Sequence, residues 1–350
     1  FPHRERGKGI GLMTMMVSAG LMTGPPLGGF MLEIWPWQSI FVINLPIGLL
    51  GLLLCFRYFK TFPAPVIDRE LRLSGAFVLS GGLLMAMIGL TFINDYPLTD
   101  VRILGPWVIS FIALGTFIRL ESKPQRALIG RDLLRNHQFT LGITVMLLMF
   151  TALSGTLILI PFYLQDVKNF PPRVIGLFLI LLPVLMFMCA PMAGRLSDRI
   201  GYRLLTSGGM LVFAVGLYCL AGLDRITGNA YIIGSLALVG IGVGIFSTPN
   251  SSAMMGSVSK KQRAISSGIL STTRNIGMGL GVALSTALFS YFRDNYTGSG
   301  DELDAFVYGF GNIIWLPVIL TLGGALLCLM RKNRIASKTE WDDNHQEESF

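Results

Sequence analysis

Ten apolar runs, each close to the length of a membrane-spanning helix, constrain this chain more than any other feature of its sequence. A helix needs about 20 predominantly apolar residues to cross a bilayer. The runs are continuous rather than alternating in polarity, which excludes a membrane β-barrel. They are Ile10–Leu32, Ile40–Phe56, Leu73–Ile93, Ile103–Ile118, Thr140–Leu164, Val174–Ala193, Leu204–Leu223, Ala230–Pro249, Ile265–Phe292 and Ile313–Met330. The pattern predicts an all-α integral membrane protein with ten transmembrane helices.

Charge and cysteine content exclude several other classes of protein. Only 14% of the residues are charged, against about 25% in soluble domains. The net charge of +8 comes from cations scattered singly between apolar runs, so nucleic acid is not an expected partner. The four cysteines and three histidines have no metal-ligand spacing, and we expect neither a metal site nor a cofactor.

The distribution of lysine and arginine predicts the orientation in the membrane, because short cytoplasmic connections are enriched in these residues. With the N-terminus placed inside, the cytoplasmic segments carry 22 of the 28 cations and the outer loops carry 5. Both termini are therefore predicted to be cytoplasmic, in a multi-pass protein of the inner or plasma membrane. The chain begins at Phe1, directly before an apolar run, and we expect an N-terminal part to be missing.

A glycine-rich segment dominates the first apolar run. Its small and helix-bending residues are Gly20, Gly24, Pro25, Pro26, Gly28 and Gly29. Three of the glycines recur every four residues and share one helix face, where a neighbouring backbone can approach closely. The prolines remove two amide donors and bend the helix. Either a tight helix crossing or a hinge at a moving interface is consistent with this pattern.

The second motif is GRLSDRIGYR, in the predicted cytoplasmic connection between the sixth and seventh runs. Its defining residues are Gly194, Asp198, Arg199, Gly201 and Arg203. A basic cytoplasmic loop with one acid is ordinary, but this spacing of glycine, acid and arginine is not. The motif predicts a short, functionally important turn.

These motifs resemble those of the major facilitator superfamily. GRLSDRIGYR is similar to its cytoplasmic loop motif, and GPPLGG is similar to the antiporter motif in the fifth helix of exporters. The segments Trp37–Gly48 and Pro161–Gln165 resemble the sixth and ninth helices of the fourteen-helix drug/proton antiporters, the EmrB/QacA-type multidrug exporters. A shift of 257 residues also aligns Gly20 with Gly277 and Gly24 with Gly281, as expected for two related halves.

The resemblance implies an organisation in four parts. Residues 1–59 would hold the last two helices of an N-terminal bundle whose first four helices are absent. Residues 60–138 would hold the linking helix pair, residues 139–330 a complete six-helix C-terminal bundle, and residues 331–350 a polar cytoplasmic tail. The implied function is proton-coupled export of drugs or other lipophilic or cationic small molecules by alternating access, with the transmembrane proton gradient as energy source.

The same resemblance implies a central cavity lined by the first and fourth helices of each bundle. Candidate substrate contacts are Thr144, Phe150, Thr151, Ser154, Phe246 and Asn250. The hydroxyl groups among them could instead bond to their own helix backbone. Asp198 would approach the cytoplasmic end of the first run and stabilise the state closed to the cytoplasm. Accessory export subunits are not predictable from the sequence.

Arg274 is the only ionisable residue inside the ten runs, and we expect a buried charge in a structural or gating ion pair rather than a direct substrate contact. The alternative is a side chain that snorkels toward the cytoplasmic surface. An intramembrane enzyme would need a nucleophile with a base, paired acids or a metal, and the runs contain no Asp, Glu or His. Two alternatives remain open: an exporter of a metabolite, peptide or siderophore, and a truncated chain that inserts without transporting.

Overall fold

The chain folds into membrane-length helices. The computed structural model describes residues 20, 23–24, 27–58, 73–94, 96, 99–121, 133, 135–259, 262–298 and 301–331. Residues 27–34 are helical, and ten α-helices follow within these described residues. They are α1 Ser39–Val42, α2 Asn44–Tyr58, α3 Leu73–Thr91, α4 Val101–Glu121, α5 His137–Phe162, α6 Pro172–Ile200, α7 Tyr202–Ala221, α8 Asn229–Gly256, α9 Arg263–Asp294 and α10 Glu302–Leu329.

Nine helical segments within these described residues are long and apolar enough to cross a membrane, with α1 and α2 together forming the first of them. The described residues contain no strand. The all-α fold class predicted from the apolar runs is therefore confirmed. Most of the first predicted span, including Pro25 and Pro26, lies outside the described residues.

Helices α5 to α10 form a bundle around one continuous apolar core. Helix α7 packs against α8 and α10, α5 packs against α9 and α10, and α6 packs against α8. Fully buried side chains from four of these helices meet in the centre, among them Met149, Phe213, Phe246 and Phe310. These contacts make the six helices one packed body.

The segments before this bundle are packed less closely. Helices α3 and α4 pair with each other, and the pair touches the bundle through α9. At that contact, a Cβ on Gly279 would lie 2.8 Å from Sδ of Met87. Helix α2 has no buried residue at all.

Three helices extend at one end by seven or more residues beyond the predicted apolar runs. Helix α6 continues through the GRLSDRI segment to Ile200, α8 runs to Gly256, and α10 begins at Glu302. Apolar runs mark only the part of a helix in hydrocarbon, whereas backbone hydrogen bonding lets the helix continue into the polar boundary region.

Two local features explain how the bundle helices begin and turn. The Asn136 side chain accepts hydrogen bonds from the backbone N–H groups of Gln138 and Phe139, which caps the start of α5. Gly201 alone separates α6 from α7, with φ of 85°, a conformation that glycine adopts without the steric cost of a Cβ. The predicted cytoplasmic loop is thus a single-residue turn between two helices.

Candidate functional site

Helices α5 and α9 cross in close contact within the bundle. A Cβ on Gly277 would lie 3.0 Å from both the Leu147 carbonyl oxygen and Cβ of Phe150. One on Gly281 would overlap the carbonyl oxygen of Thr151 and the hydroxyl of Ser154. Small residues spaced every four positions therefore let the two backbones touch, as at other membrane helix crossings.

This crossing accounts for two of the predicted substrate contacts. Ser154 is buried and donates a hydrogen bond from Oγ to the Met278 carbonyl oxygen at 2.9 Å. Thr151 is also buried, and its hydroxyl donates to the Leu147 carbonyl oxygen of its own helix. The prediction that these hydroxyls line an open cavity is not what the structure shows, because they lie between two helices.

The other candidate contacts are divided between the core and a half-buried face of α5. Phe246 is buried in the bundle core. Thr144 and Phe150 are half-buried. The Thr144 hydroxyl donates to the Thr140 carbonyl oxygen at 3.0 Å. Asn250 is buried and belongs to a polar cluster at one end of the bundle.

The centre of that cluster is Arg331, which is only 1% exposed. Its Nη1 donates to Oδ1 of Asn250 at 2.7 Å, and its guanidinium lies 5.0 Å from the centre of the Tyr202 ring. Its Nε and Nη2 have no hydrogen-bond partner. Among the described side chains no carboxylate pairs with it, so one amide and one aromatic ring are its main polar contacts.

At Arg331 the structure corrects the prediction of a polar tail over residues 331–350, and the rest of that segment lies outside the described residues. Burial lowers the pKa of its guanidinium, although arginine remains protonated in proteins. Its position immediately after the last apolar run had suggested a surface cation. The sequence feature that could have indicated a buried Arg331 is Asn250, because an amide within the span of α8 needs a hydrogen-bond partner.

Further hydrogen bonds join the helices at the Arg331 end. Tyr202 on α7 donates from its hydroxyl to Oε1 of Gln138 on α5 at 2.8 Å. Asn136 donates to the Ser257 carbonyl oxygen at 2.6 Å, which links the start of α5 to the end of α8. Together with Arg331 these bonds connect α5, α7, α8 and the end of α10. This end of the bundle is closed by polar contacts.

The opposite end is held by the connection between α7 and α8. Arg225 in this loop forms ion pairs with Asp301 at 2.6 Å and Asp304 at 2.9 Å, both at the start of α10. Lys168 donates to the carbonyl oxygens of Arg225 and Thr227, each at 2.7 Å. The Tyr163 hydroxyl also donates to the Asp224 carbonyl oxygen at 2.7 Å.

Two aspartates at the Arg225 end have lowered pKa values. The Thr227 hydroxyl, at 2.5 Å, lowers the pKa of Asp224. The Arg225 guanidinium and the backbone N–H of Leu303 lower the pKa of Asp301, which also caps α10. Both carboxylates are therefore charged at neutral pH and hold the loop in place. This network has no local signal in the sequence, because its members come from separate loops and helix ends.

Arg274 is exposed, which corrects the prediction of a buried charge. It forms no ion pair with another described side chain. The residues exposed beside it on the same helix are the polar Ser267, Ser271, Thr272 and Asn275, together with Gly268 and Met278. The candidate spans have mean hydropathy values from 1.3 to 2.6, and the segment of α9 has the lowest. One face of α9 is thus packed against α5, while another presents polar groups outward.

The described glycines of the first predicted span also differ from expectation. No described atom lies within 4 Å of a Cβ placed on Gly20, Gly24 or Gly28. A Cβ on Gly29 would lie 2.6 Å from the carbonyl oxygen of Pro172, at the start of α6. The close approach predicted for Gly24 and Gly28 is therefore found one residue later, at Gly29.

In the GRLSDRIGYR motif, the side chains of Asp198 and Arg199 lie outside the described residues, and the proposed contact of Asp198 stays a prediction. Gly194 lies close to α8, since a Cβ there would be 3.3 Å from Cγ2 of Thr248. The Arg203 backbone carbonyl accepts hydrogen bonds from the hydroxyls of Thr206 and Ser207. Among the described residues, no group of three or more His, Cys, Asp or Glu could hold a metal ion.

Comparison with known proteins identifies consistent relatives. The sequence profile of the Major Facilitator Superfamily matches residues 1–282 and also residues 169–348. The riboflavin transporter RibZ of Clostridioides difficile is 29% identical over 337 residues, covering 95% of this chain and 72% of RibZ. The multidrug resistance protein Stp of Mycobacterium tuberculosis is 31% identical over 81% of this chain and 53% of Stp.

The methyl viologen resistance protein SmvA of Salmonella typhimurium is 30% identical over 82% of this chain. The matched region spans 58% of SmvA, so the chain covers between about half and three quarters of these three relatives. The names of Stp and SmvA refer to resistance against toxic compounds, and the name of RibZ refers to a vitamin.

Proposed function

The chain belongs to the major facilitator superfamily and is a multi-pass membrane transporter, and from that premise we propose that it is a proton-coupled exporter of lipophilic or cationic small molecules. In this proposal it belongs to the fourteen-helix drug/proton antiporters, with both termini cytoplasmic. The Arg331 end of the bundle then faces the cytoplasm and the Arg225 end faces outward.

The observation that carries the proposal is the polar outer face of α9. Arg274 and Asn275 are exposed on a helix whose other face is packed against α5. A cation facing hydrocarbon near the centre of a bilayer costs about 2.5–3.5 kcal/mol on insertion scales, so this face should meet protein or water rather than lipid. A water-accessible surface along a packed six-helix body is what alternating access requires.

The class of substrate rests on the relatives. Stp and SmvA are named for multidrug and methyl viologen resistance, and methyl viologen is a cationic compound. The antiporter-like segment around Gly24 supports the export direction. No Asp, Glu or His lies in the described helices outside their terminal turns, and the proposal assigns proton binding to none of these helices.

A second candidate function is transport of a metabolite. RibZ, named as a riboflavin transporter, aligns over 95% of this chain, more than Stp or SmvA. Riboflavin is larger and more polar than the drugs implied by the first proposal. The two candidates share the fold and differ only in substrate.

The test is efflux from cells that lack their own drug pumps and express the complete reading frame that encodes this chain. Ethidium, methyl viologen and riboflavin are loaded separately, and intracellular levels are followed with and without an uncoupler. We expect ethidium and methyl viologen efflux that collapses with the uncoupler. Riboflavin efflux alone would favour the second candidate, and efflux that ignores the uncoupler would contradict proton coupling.

Arg274→Leu tests the observation that carries the proposal. We expect this variant to reach the membrane and lose most efflux, because the polar face of α9 loses its cation. Arg293→Leu is the matched control, since Arg293 is exposed at the end of the same helix and pairs only with the adjacent Asp294. Equal efflux by both variants would show that the polar face is not part of the pathway.

A further inference from the structure

Helices α6 and α7 diverge from the turn at Gly201 and leave a groove between them on the surface of the bundle. Both helices pack against α8, while they touch each other only weakly. At the base of the groove α6 and α8 are in close contact, since a Cβ on Gly244 would lie 2.9 Å from Cβ of Cys189. The groove has a volume of about 420 Å³, which lies within the range of about 300–1,000 Å³ for ligand pockets.

The wall of this groove is apolar except for one cation. Met192 and Leu196 on α6 are exposed. Leu205 on α7 and Ile245 on α8 are half-buried. Arg195 also lines the groove and is exposed, and no described residue forms an ion pair or a hydrogen bond with its side chain. The groove therefore combines an unpaired positive charge with an apolar surface, and no acid is among its lining residues.

The position of Arg195 along its helix is that of the lipid headgroups. It lies two residues before the end of the apolar segment Pro172–Ser197. This is the Arg331 end of the bundle, because the guanidinium of Arg331 lies beside Tyr202 at the start of the next helix. Cys189 is six residues earlier than Arg195, about 9 Å deeper at a rise of 1.5 Å per residue. The apolar wall thus extends into the hydrocarbon, while the cation stays at its boundary.

This arrangement fits an amphiphile with one negative headgroup and an apolar chain. A neutral apolar molecule would cover the wall and leave the cation without a partner. A water-soluble anion would pair with the cation and leave the wall uncovered. In the orientation proposed above the groove opens to the cytoplasmic leaflet, where anionic lipids are attracted to basic residues next to membrane helices.

We propose that the groove between α6 and α7 binds one anionic phospholipid, with its phosphate beside Arg195 and an acyl chain along Met192, Leu196 and Leu205. An arginine at a membrane boundary can extend toward any headgroup. The groove adds a surface for the chain below that headgroup, so selection for the negative headgroup should be confined to this place on the protein. The site lies on the outside of the bundle and takes no part in the proposed export.

Photoreactive lipids test this proposal. The protein encoded by the complete reading frame is reconstituted in phosphatidylcholine vesicles that contain a small fraction of phosphatidylglycerol with a diazirine near the headgroup end of one acyl chain. A phosphatidylcholine with the same diazirine chain is the reference lipid. Illumination links each lipid to the residues beside it, and mass spectrometry locates the adducts. On residues 189–196 and around Leu205 and Ile245 we expect about fivefold more adducts with phosphatidylglycerol, the effect of one cation near an anionic headgroup.

Arg195→Gln removes the charge and should lower the phosphatidylglycerol yield in the groove to the phosphatidylcholine level, whereas Arg195→Lys should keep most of the preference. Arg173→Gln is the matched control, because Arg173 is exposed at the opposite end of the same helix, and it should leave the yields in the groove unchanged. Ile245→Trp fills the groove and should abolish the adducts there for both lipids. Size-exclusion profiles show whether each variant is folded.

The proposal is overturned if the two lipids give equal yields in the groove, or if Arg195→Gln keeps the wild-type preference, since the charge would then select no headgroup. An equal preference for phosphatidylglycerol on all lipid-facing helices would also overturn it. So would a groove that reacts with neither lipid, because another part of the protein or a second copy would then cover it. None of these outcomes depends on whether the protein exports drugs.

Discussion

Helices α2 and α5 have the same apolar character and opposite packing. Their spans both have a mean hydropathy of 2.3, yet none of the α2 span is buried and 61% of the α5 span is buried. The difference lies in their small and polar residues. Thr151, Ser154 and Gly155 on α5 meet glycines and a serine on α9, whereas no described atom lies within 4 Å of a Cβ on Gly48 or Gly51 of α2.

Insertion of a helix into the membrane and its packing against other helices are two different properties, and mean hydropathy reports only the first. Lipid tails are as apolar as leucine side chains, so apolar character places a helix in the membrane without selecting its neighbours. Close backbone approach and interhelical hydrogen bonds select them. Small and polar residues therefore hold the bundle helices together, although they are a minority. Substitutions at these residues should destabilise the protein, whereas matched substitutions on α2 should not.

The largest effect is expected at the Arg331 cluster. Asn250→Leu removes the acceptor of the Arg331 hydrogen bond and leaves a buried cation without it. Hydrogen bonds to charged groups contribute about 1.5–3 kcal/mol, which corresponds to a thermal midpoint lower by roughly 5–10 °C. Thermal denaturation of the purified protein, followed by size exclusion, measures this shift.

Arg331→Met is the informative companion to Asn250→Leu. It removes the buried charge together with its unpaired Nε and Nη2 and fills the space with an apolar side chain. We expect a smaller loss of stability than for Asn250→Leu, because replacing a buried charge costs less than stranding it. A larger loss for Arg331→Met would show that the guanidinium has a partner that stabilises it.

The next effect concerns the α5–α9 crossing directly. In Gly281→Ala the new methyl group overlaps the carbonyl oxygen of Thr151, and relief requires the helices to separate. Overpacking of this kind costs about 1–3 kcal/mol. Gly51→Ala on α2 is the matched control and should leave the thermal midpoint unchanged. Equal thermal midpoints for the two variants would contradict the inference that close backbone contact distinguishes α5 from α2.

The sequence predicted the fold class and the position of the turn at Gly201, because apolar length and glycine conformation are local properties. It also marked Gly277 and Gly281 by their alignment with Gly20 and Gly24. It did not predict which small residues find a partner. Gly24 and Gly281 look equivalent in the alignment, but only Gly281 meets another backbone among the described residues.

The candidate site was less predictable for the same physical reason. The family resemblance implied that Thr151 and Ser154 line a central cavity, yet their hydroxyls donate to backbone carbonyls of α5 and α9. Arg274 is exposed although it was expected to be buried, and Arg331 is buried although it was expected at the surface. Burial of a cation depends on tertiary contacts, here the amide of Asn250, which lies 81 residues away along the chain.

A smaller effect is expected where the N-terminal region meets the bundle. Gly29→Ala places a methyl group against the backbone of Pro172 at the start of α6. We expect it to lower the thermal midpoint by a few degrees, about 1 kcal/mol, since a single contact at a helix end can adjust. Gly28→Ala, one residue earlier and without a described neighbour, should have no effect, and a reversed order would contradict the placement of this helix.

The smallest effect is expected at the Arg225 end, where solvent screens the ion pairs. The pKa values of Asp224 and Asp301 are lowered in the folded state. The unfolded value for aspartate is about 3.9, so this stabilisation is complete above that pH and is lost as the pH falls through the lower folded values. The thermal midpoint should therefore be flat from pH 7 to pH 5 and fall below about pH 4.

Asp301→Asn isolates the contribution of this end. It should lower the midpoint slightly at pH 7, and the difference from wild type should shrink at pH 3 and also in high salt, where screening weakens the pair with Arg225. Asp294→Asn is the control, because Asp294 pairs only with its neighbour Arg293 and joins no two helices. If Asp301→Asn and Asp294→Asn gave the same midpoints at every pH, the Arg225 network would not hold the loop to α10. The Arg225 loop would then be held by the hydrogen bonds of Tyr163 and Lys168.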